Sequence, residues 1–177
     1  TIIYFTFNLG FPREGLSNLY IVGGIISFAA MQISGRIVDL YGARILSFMT
    51  AIFYVIILSD GFLHLPHLDI LWIFSFFMMC SAMMSVIITT IASEAPKIHE
   101  RAAFMSLQTT FRHLAAGAGA IISSMILTSD EMGRLDNIEY VIGIAIACIL
   151  SIPVIVIILR KALNAKASKE STLLADQ

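Results

Sequence analysis

Long apolar segments alternate with short polar ones along the whole chain, and this alternation is its dominant pattern. Five segments are apolar over most of their length: residues 18–34, 45–63, 70–93, 102–127 and 140–159. A helix that crosses a bilayer needs ~20 such residues, whereas a strand of a membrane barrel alternates polar and apolar positions over ~10 residues. The pattern therefore predicts an all-α membrane protein with five complete transmembrane helices.

The two ends of the chain differ from these segments. Residues 1–11 are apolar but too few to cross a bilayer, and turn-forming residues follow at Pro12 and Gly15. We expect them to be the end of a sixth helix, and the sequence to be part of a longer protein. Residues 160–177 are polar and rich in Lys, Ala and Ser, a composition that favours a disordered tail.

Composition excludes several functional classes. Apolar residues make up 58% of the chain and charged residues 13%, about half of the ~25% expected of a soluble domain. The net charge of −1 comes with no basic patch, so we expect no nucleic-acid partner. Cys80 and Cys148 are isolated in apolar segments, and His64 and His67 fall in a short turn. We interpret them as buried thiols and surface histidines, and predict no metal and no cofactor.

The basic residues of the short connections predict the orientation of the chain. Short cytoplasmic loops carry an excess of Lys and Arg. One side of the predicted topology carries eight of these residues: Arg36, Arg44, Lys97, Arg101, Arg160, Lys161, Lys166 and Lys169. The opposite side carries two, Arg13 and Arg134. The C-terminal tail is therefore predicted to be cytoplasmic.

The connection at residues 35–44, called the signature segment below, is predicted to be a ten-residue loop between adjacent antiparallel helices. Gly35 would allow close contact with a facing helix, and Gly42 would allow the tight reversal. Asp39 suits a helix N-terminus or a cation, and Arg44 suits a carboxylate or a lipid phosphate. The composition is equally compatible with an ordinary cytoplasmic hairpin.

The pattern Gly-x-x-x-Asp-x-x-Gly-x-Arg in this segment resembles the signature loop of the major facilitator superfamily of secondary transporters. Residues 100–107, Glu-Arg-Ala-Ala-Phe-Met-Ser-Leu, resemble the start of the fifth helix in a half of that fold. Residues 19–24, Leu-Tyr-Ile-Val-Gly-Gly, resemble the drug- and sugar-efflux branch. Two positions depart from the family pattern, because Ala43 replaces a basic residue and Ala102 replaces a glycine.

The resemblance implies that residues 1–177 form the C-terminal six-helix half of a twelve-helix fold. Residues 1–11 would then end helix 7, and the five complete segments would be helices 8 to 12. It further implies a multi-pass protein of a bacterial inner or plasma membrane, which exports small organic solutes by alternating access and proton antiport. Its partners would be the solute, protons, the bilayer and the missing N-terminal half.

Two other functions stay open, a non-transporting membrane scaffold and a subunit of a membrane enzyme. The motifs His-Glu-x-x-His and Gly-x-Ser-x-Gly, which carry hydrolytic chemistry, do not occur in the sequence. We therefore predict that the chain is not an enzyme and has no catalytic residues.

The segment 102–127 carries the candidate chemistry. At 100° per residue its large apolar residues share one arc of the helix: Phe104, Leu107, Phe111, Leu114, Ala118, Ile121, Ile122 and Met125. Arg112 lies off this arc and roughly 15 Å into the helix, at ~1.5 Å per residue. Arginine at that depth costs about 2.5–3.5 kcal/mol on insertion. It therefore needs a water-filled cavity, a substrate or a carboxylate on another helix, and the sequence leaves these roles open.

Further cavity candidates surround Arg112. Gln108 and Thr109 precede it on the polar side of the helix, and His113 follows it, as a proton relay or as a simple hydrogen-bonding group. Tyr4 and Asn8 are one helical turn apart on the partial first helix. The resemblance adds them as candidates, because the first, second, fourth and fifth helices of a half line the pathway in that superfamily.

Overall fold

The structure, a computed structural model, describes residues 2–63, 68–94, 96, 98–129 and 134–175. Within this part of the chain there are six α-helices: α1 (Ile2–Phe7), α2 (Leu16–Tyr41), α3 (Ala43–Phe62), α4 (Ile70–Glu94), α5 (Arg101–Ile126) and α6 (Ile138–Ala175). Single 3-10 turns, Arg13–Gly15 and Ile98–Glu100, precede α2 and α5. Two short strands, β1 (Thr128–Ser129) and β2 (Leu135–Asp136), pair antiparallel between α5 and α6.

Four of these helices are long and apolar enough to cross a membrane: Arg13–Tyr41, Ala43–Phe62, Ile70–Glu94 and Ile138–Ala165. The described residues are 89% helical, so the chain has the character of an all-α membrane protein, as the apolar pattern predicts. The helix α5 is as long as α2 but is not among the four. Its polar residues, Arg112 above all, lower its hydropathy, and a fifth complete crossing stays a prediction.

The signature segment is not the ten-residue loop that the sequence predicts. The helix α2 continues to Tyr41 and α3 begins at Ala43, so only Gly42 separates them. The Gly42 N–H still donates to the Val38 carbonyl over 2.9 Å. No proline interrupts residues 35–41, and a helix satisfies their backbone groups internally, which is favoured at a membrane boundary. The charged residues of this segment therefore lie on helical turns.

The C-terminal tail also differs from its prediction. The helix α6 does not end near residue 159 but runs on to Ala175. Residues 160–175 contain several Ala, Lys and Leu residues, which have high helix propensity. These residues would favour disorder in a free peptide. Here they continue the helix, because the preceding apolar turns have already nucleated it.

The core lies among α2, α3, α4 and α6. The helix α2 packs mainly on α4, and α3 lies against both α4 and α6. Leu46 and Ile73 are fully enclosed there, and a β-carbon on Gly61 would come within 2.6 Å of the Ile73 Cγ2 atom. Small residues allow such approach between membrane helices. In contrast, α5 has no buried residue and makes few contacts with α4 and α6.

Candidate functional site

A polar cleft of about 370 Å³ lies between α4 and α5. Its lining residues are Ser81, Met84, Ser85, Ile88 and Thr89 of α4 together with Gln108 and Arg112 of α5. The three hydroxyl residues recur every four positions and therefore form a stripe along one side of α4. Gln108 and Arg112 have the same spacing on α5. Two polar stripes thus face each other across the cleft.

Four side chains of the cleft have hydrogen-bonding capacity that the described part of the chain does not use. Ser85, Thr89, Gln108 and Arg112 make no side-chain hydrogen bond or ion pair with a described residue. A neighbouring threonine behaves differently, since the Thr90 hydroxyl donates to the Val86 carbonyl over 2.9 Å. The polar groups of the cleft are therefore available to water, to a ligand or to another chain.

Arg112 is the only charged residue among those that line this cleft. It lies near the middle of α5, and its side chain is exposed to the cleft rather than packed. Charged groups inside a membrane are accommodated when they face a water-filled cavity or pair with an opposite charge. The described residues supply no ion-pair partner for Arg112.

The structure brings together only some of the residues that the sequence proposes for the site. Gln108 and Arg112 line the cleft, whereas Thr109 and His113 are exposed on α5 and do not line it. The Thr109 hydroxyl donates to the Met105 carbonyl of its own helix over 2.9 Å. Whether these side chains contact a solute stays a prediction.

Tyr4 and Asn8 have other surroundings. Tyr4 is 8% exposed, and its ring centroid lies 5.2 Å from that of Phe62 in the core. The Asn8 side-chain amide donates to the Leu135 carbonyl, and its oxygen accepts from the Leu135 N–H, both over 2.9 Å. Neither lines the polar cleft. The structure thus places these two candidates in packing and in a link between α1 and strand β2.

The α4 contribution to the cleft is absent from the sequence-based candidates. Ser81, Ser85 and Thr89 lie at positions i, i+4 and i+8 of a largely apolar segment. This spacing was a usable signal, because hydroxyl residues that share one side of a membrane helix indicate a polar neighbour on that side. That this side of α4 faces Arg112 is visible only in the three-dimensional arrangement of α4 and α5.

The charged side chains of the signature segment are exposed in the described structure, whereas Val38 and Ala43 are buried. Gly42 has φ +83° and ψ 154°, a conformation that agrees with its predicted role in the reversal. A β-carbon on Gly35 would meet nothing within 4 Å, so no described helix approaches it closely, and its contact with a facing helix stays a prediction. Asp39 and Arg44 are exposed, and neither forms an ion pair with a described residue.

A set of polar contacts joins three helices on the side that the basic residues predict to be cytoplasmic. The Arg101 guanidinium donates twice to the Ser93 carbonyl, over 3.1 and 2.8 Å. The Arg160 Nη2 atom lies 3.3 Å from the Glu94 Oε1 atom. These contacts connect the last turn of α4 to the first turn of α5 and to α6. They fix the end of the α4–α5 pair that frames the cleft.

No group of three or more His, Cys, Asp and Glu side chains in the described part of the chain is arranged to hold a metal ion. His64 and His67, the one His-x-x-His spacing in the sequence, fall outside the described residues. Comparison with protein-family models, with curated proteins and with solved structures gives no match to the chain. The residues of the cleft are therefore the main indication of what the chain does.

Proposed function

We propose that this chain is the C-terminal half of a major facilitator secondary transporter, and that it moves small organic solutes by alternating access. Efflux coupled to protons is the mode implied by the sequence resemblance. The observation that carries the proposal is the polar cleft between α4 and α5, with a lone arginine near the middle of its helix. Solute sites of secondary transporters lie near the bilayer midplane.

Arg112 is costly to hold inside a membrane. An arginine at the centre of a membrane helix costs about 2.5–3.5 kcal/mol on insertion, and hydroxyl and amide groups left unpaired in hydrocarbon add to that cost. A static scaffold gains nothing from such an arrangement, because an apolar residue at the same position would pack more favourably. A water-filled solute pathway offsets the cost, since water or solute satisfies all four groups.

The unpacked helix α5 supports the same proposal. Its large apolar side chains are exposed along the helix, and none of its residues is buried. A second six-helix half would cover this surface, and the cleft would then lie between the halves. Asp39 and Arg44, which have no ion-pair partner among the described residues, would be free to help close the cytoplasmic side.

Transport by the full-length protein in proteoliposomes, measured with an imposed proton gradient over a panel of small organic solutes, tests the proposal. We expect gradient-dependent, saturable transport of at least one solute by wild type. The variant Arg112→Ala should reach the membrane and lose at least about 10-fold in rate, because hydrogen bonds to a charged group contribute about 1.5–3 kcal/mol.

Thr110→Ala is the matched control on α5. The Thr110 side chain is exposed, bonds only to the Ser106 carbonyl of its own helix and does not line the cleft. Its transport should equal that of wild type. Normal transport by Arg112→Ala would remove Arg112 from the pathway, and wild-type transport that ignored the gradient would exclude proton coupling. A protein that moves no solute in the panel would favour the scaffold.

A further inference from the structure

We infer that the cleft selects amphipathic organic anions, with the carboxylate or phosphate of the solute at Arg112 and its apolar body in the adjoining hollow between α4, α5 and α6. The inference deepens the proposed function and depends on it for the route by which the solute arrives. It follows from the sign of the charge in the cleft, from the hydrogen-bonding groups around it and from the shape of the space beside it.

The charge of the cleft is positive and is not neutralised by the described part of the chain. No acidic side chain is among the residues that line it. Glu94, at the end of α4, is paired with Arg160. The remaining described carboxylates, Asp60 included, belong to helix ends and connections and do not line the cleft. A cationic solute would be repelled by Arg112, and an anionic one would be attracted.

The hydrogen-bonding groups also fit an anion. A guanidinium offers five N–H donors in a planar fork that matches a carboxylate or phosphate through two parallel bonds. Gln108 adds an amide donor, and the Ser85 and Thr89 hydroxyls add one donor each. These four side chains are the ones whose capacity is unused within the described chain. An ionised carboxylate only accepts hydrogen bonds, so this donor-rich set can satisfy it fully.

A second hollow, also of about 370 Å³, adjoins the cleft on the side of α6. The two spaces share Ile88 and Gln108 in their linings. Beyond these residues the second hollow is lined by apolar side chains that include Phe104, Ile155 and Leu159. Gln108 therefore lies at the boundary between a cationic compartment and an apolar one. Together they match a solute with an anionic head and an aromatic or alkyl body.

The test uses 4-phenylbutyrate and its uncharged counterpart 4-phenylbutyramide, together with acetate, which has the head group but no apolar body. Binding to the purified full-length protein is measured by titration calorimetry in lipid nanodiscs, with empty nanodiscs as a blank. We expect 4-phenylbutyrate to bind roughly 10- to 150-fold more tightly than the amide, since hydrogen bonds to a charged group are the stronger ones. Acetate should bind more weakly than 4-phenylbutyrate.

Variants locate the binding in the cleft. Arg112→Gln should remove the preference for 4-phenylbutyrate over the amide, and Arg112→Lys should retain part of it, because lysine keeps the charge but loses the planar fork. Thr89→Val should weaken the binding of 4-phenylbutyrate by about 10- to 150-fold, the range for one hydrogen bond to a charged group. Thr90→Val is the matched control and should bind as wild type, because the Thr90 hydroxyl is bonded to Val86.

Equal affinity for the acid and the amide, an Arg112→Gln variant that binds the acid like wild type, or absence of binding would each overturn the inference. Its failure is distinguishable from that of the proposed function. If uncharged or cationic solutes are transported in an Arg112-dependent way, the transporter stands and the anion preference falls. If the acid binds at Arg112 but nothing is transported, the anion site stands and the transport proposal falls.

Discussion

Gly42 is the single residue that connects α2 to α3. Its backbone, with φ +83° and ψ 154°, occupies a region that is open almost only to glycine. Because one residue reverses the chain direction, the last turn of α2 and the first turn of α3 are held side by side. The conformation of this single residue therefore determines the direction in which α3 leaves the end of α2.

Replacement of Gly42 by alanine should destabilise the protein by about 1–3 kcal/mol, the cost of holding a side chain in that backbone region. The measurement is thermal unfolding of the purified full-length protein in detergent. Gly24→Ala is the control, because Gly24 is helical and a β-carbon there meets nothing within 4 Å. The control should be neutral or up to about 1 kcal/mol more stable. Similar loss of stability in both variants would contradict the argument.

The resemblance to the superfamily offers Asn8, one helical turn from Tyr4, as a candidate for the solute cavity. The hydrogen-bond partner of its side chain is instead the backbone of Leu135, far along the chain. The amide bonds both the N–H and the carbonyl of that residue, as a neighbouring strand would. Sequence pattern detects the need for a partner. It does not identify a backbone group more than a hundred residues away.

At the scale of elements, the helices fall into two groups by how they bury their surfaces. The helices α2, α3, α4 and α6 share a core and are apolar around most of their circumference. The helix α5 has an apolar arc, a polar side and no buried residue. Its amphipathic pattern was predictable from the spacing of residues 102–127, because that pattern depends on local periodicity alone.

The α3–α4 contact depends on Gly61, whose position faces the fully buried Ile73. Gly61→Ala should cost about 1–3 kcal/mol, as is typical of an overpacked core, and thermal unfolding measures it. The matched control is Gly143→Ala on α6, where a β-carbon meets nothing within 4 Å.

A double variant sharpens this test. Ile73→Ala removes the Cγ2 methyl group that a β-carbon at position 61 would meet at 2.6 Å. Gly61→Ala combined with Ile73→Ala should therefore be less unstable than the sum of the two single variants, since residues in contact are not additive. Simple additivity, or a stable Gly61→Ala variant, would show that the two helices are not packed so closely.

At the scale of the whole molecule, the proposed function rests on the arrangement of α4, α5 and α6. The three helices meet through Ser93, Glu94, Arg101 and Arg160 at one end and diverge around the two adjoining hollows. The helix α5 is not among the four helices that qualify as membrane spans, since its polar residues lower its hydropathy. Its position relative to the bilayer is therefore to be tested. A transporter of the proposed kind requires α5 to cross the bilayer.

Reporter fusions to the full-length protein test that crossing and the orientation of the tail. Green fluorescent protein should fluoresce when fused after Glu100 or after Gln177, and alkaline phosphatase should be active when fused after Ser129. These results follow from the excess of basic residues on one side of the chain and from α5 as a spanning helix. Fluorescence after both Glu100 and Ser129 would mean that α5 does not cross. Phosphatase activity after both Glu100 and Gln177 would mean that the orientation is reversed.

The sequence by itself determined the membrane character, the positions of the four most apolar helices and the prominence of Arg112, because these depend on local composition and periodicity. The tertiary structure alone decided what each polar residue meets. It placed the Ser81, Ser85 and Thr89 stripe opposite Arg112, took Tyr4 into the core and joined Asn8 to strand β2. It also reduced the signature connection to Gly42. Burial and partnership depend on which helix faces lie together, and that is a property of the packed chain.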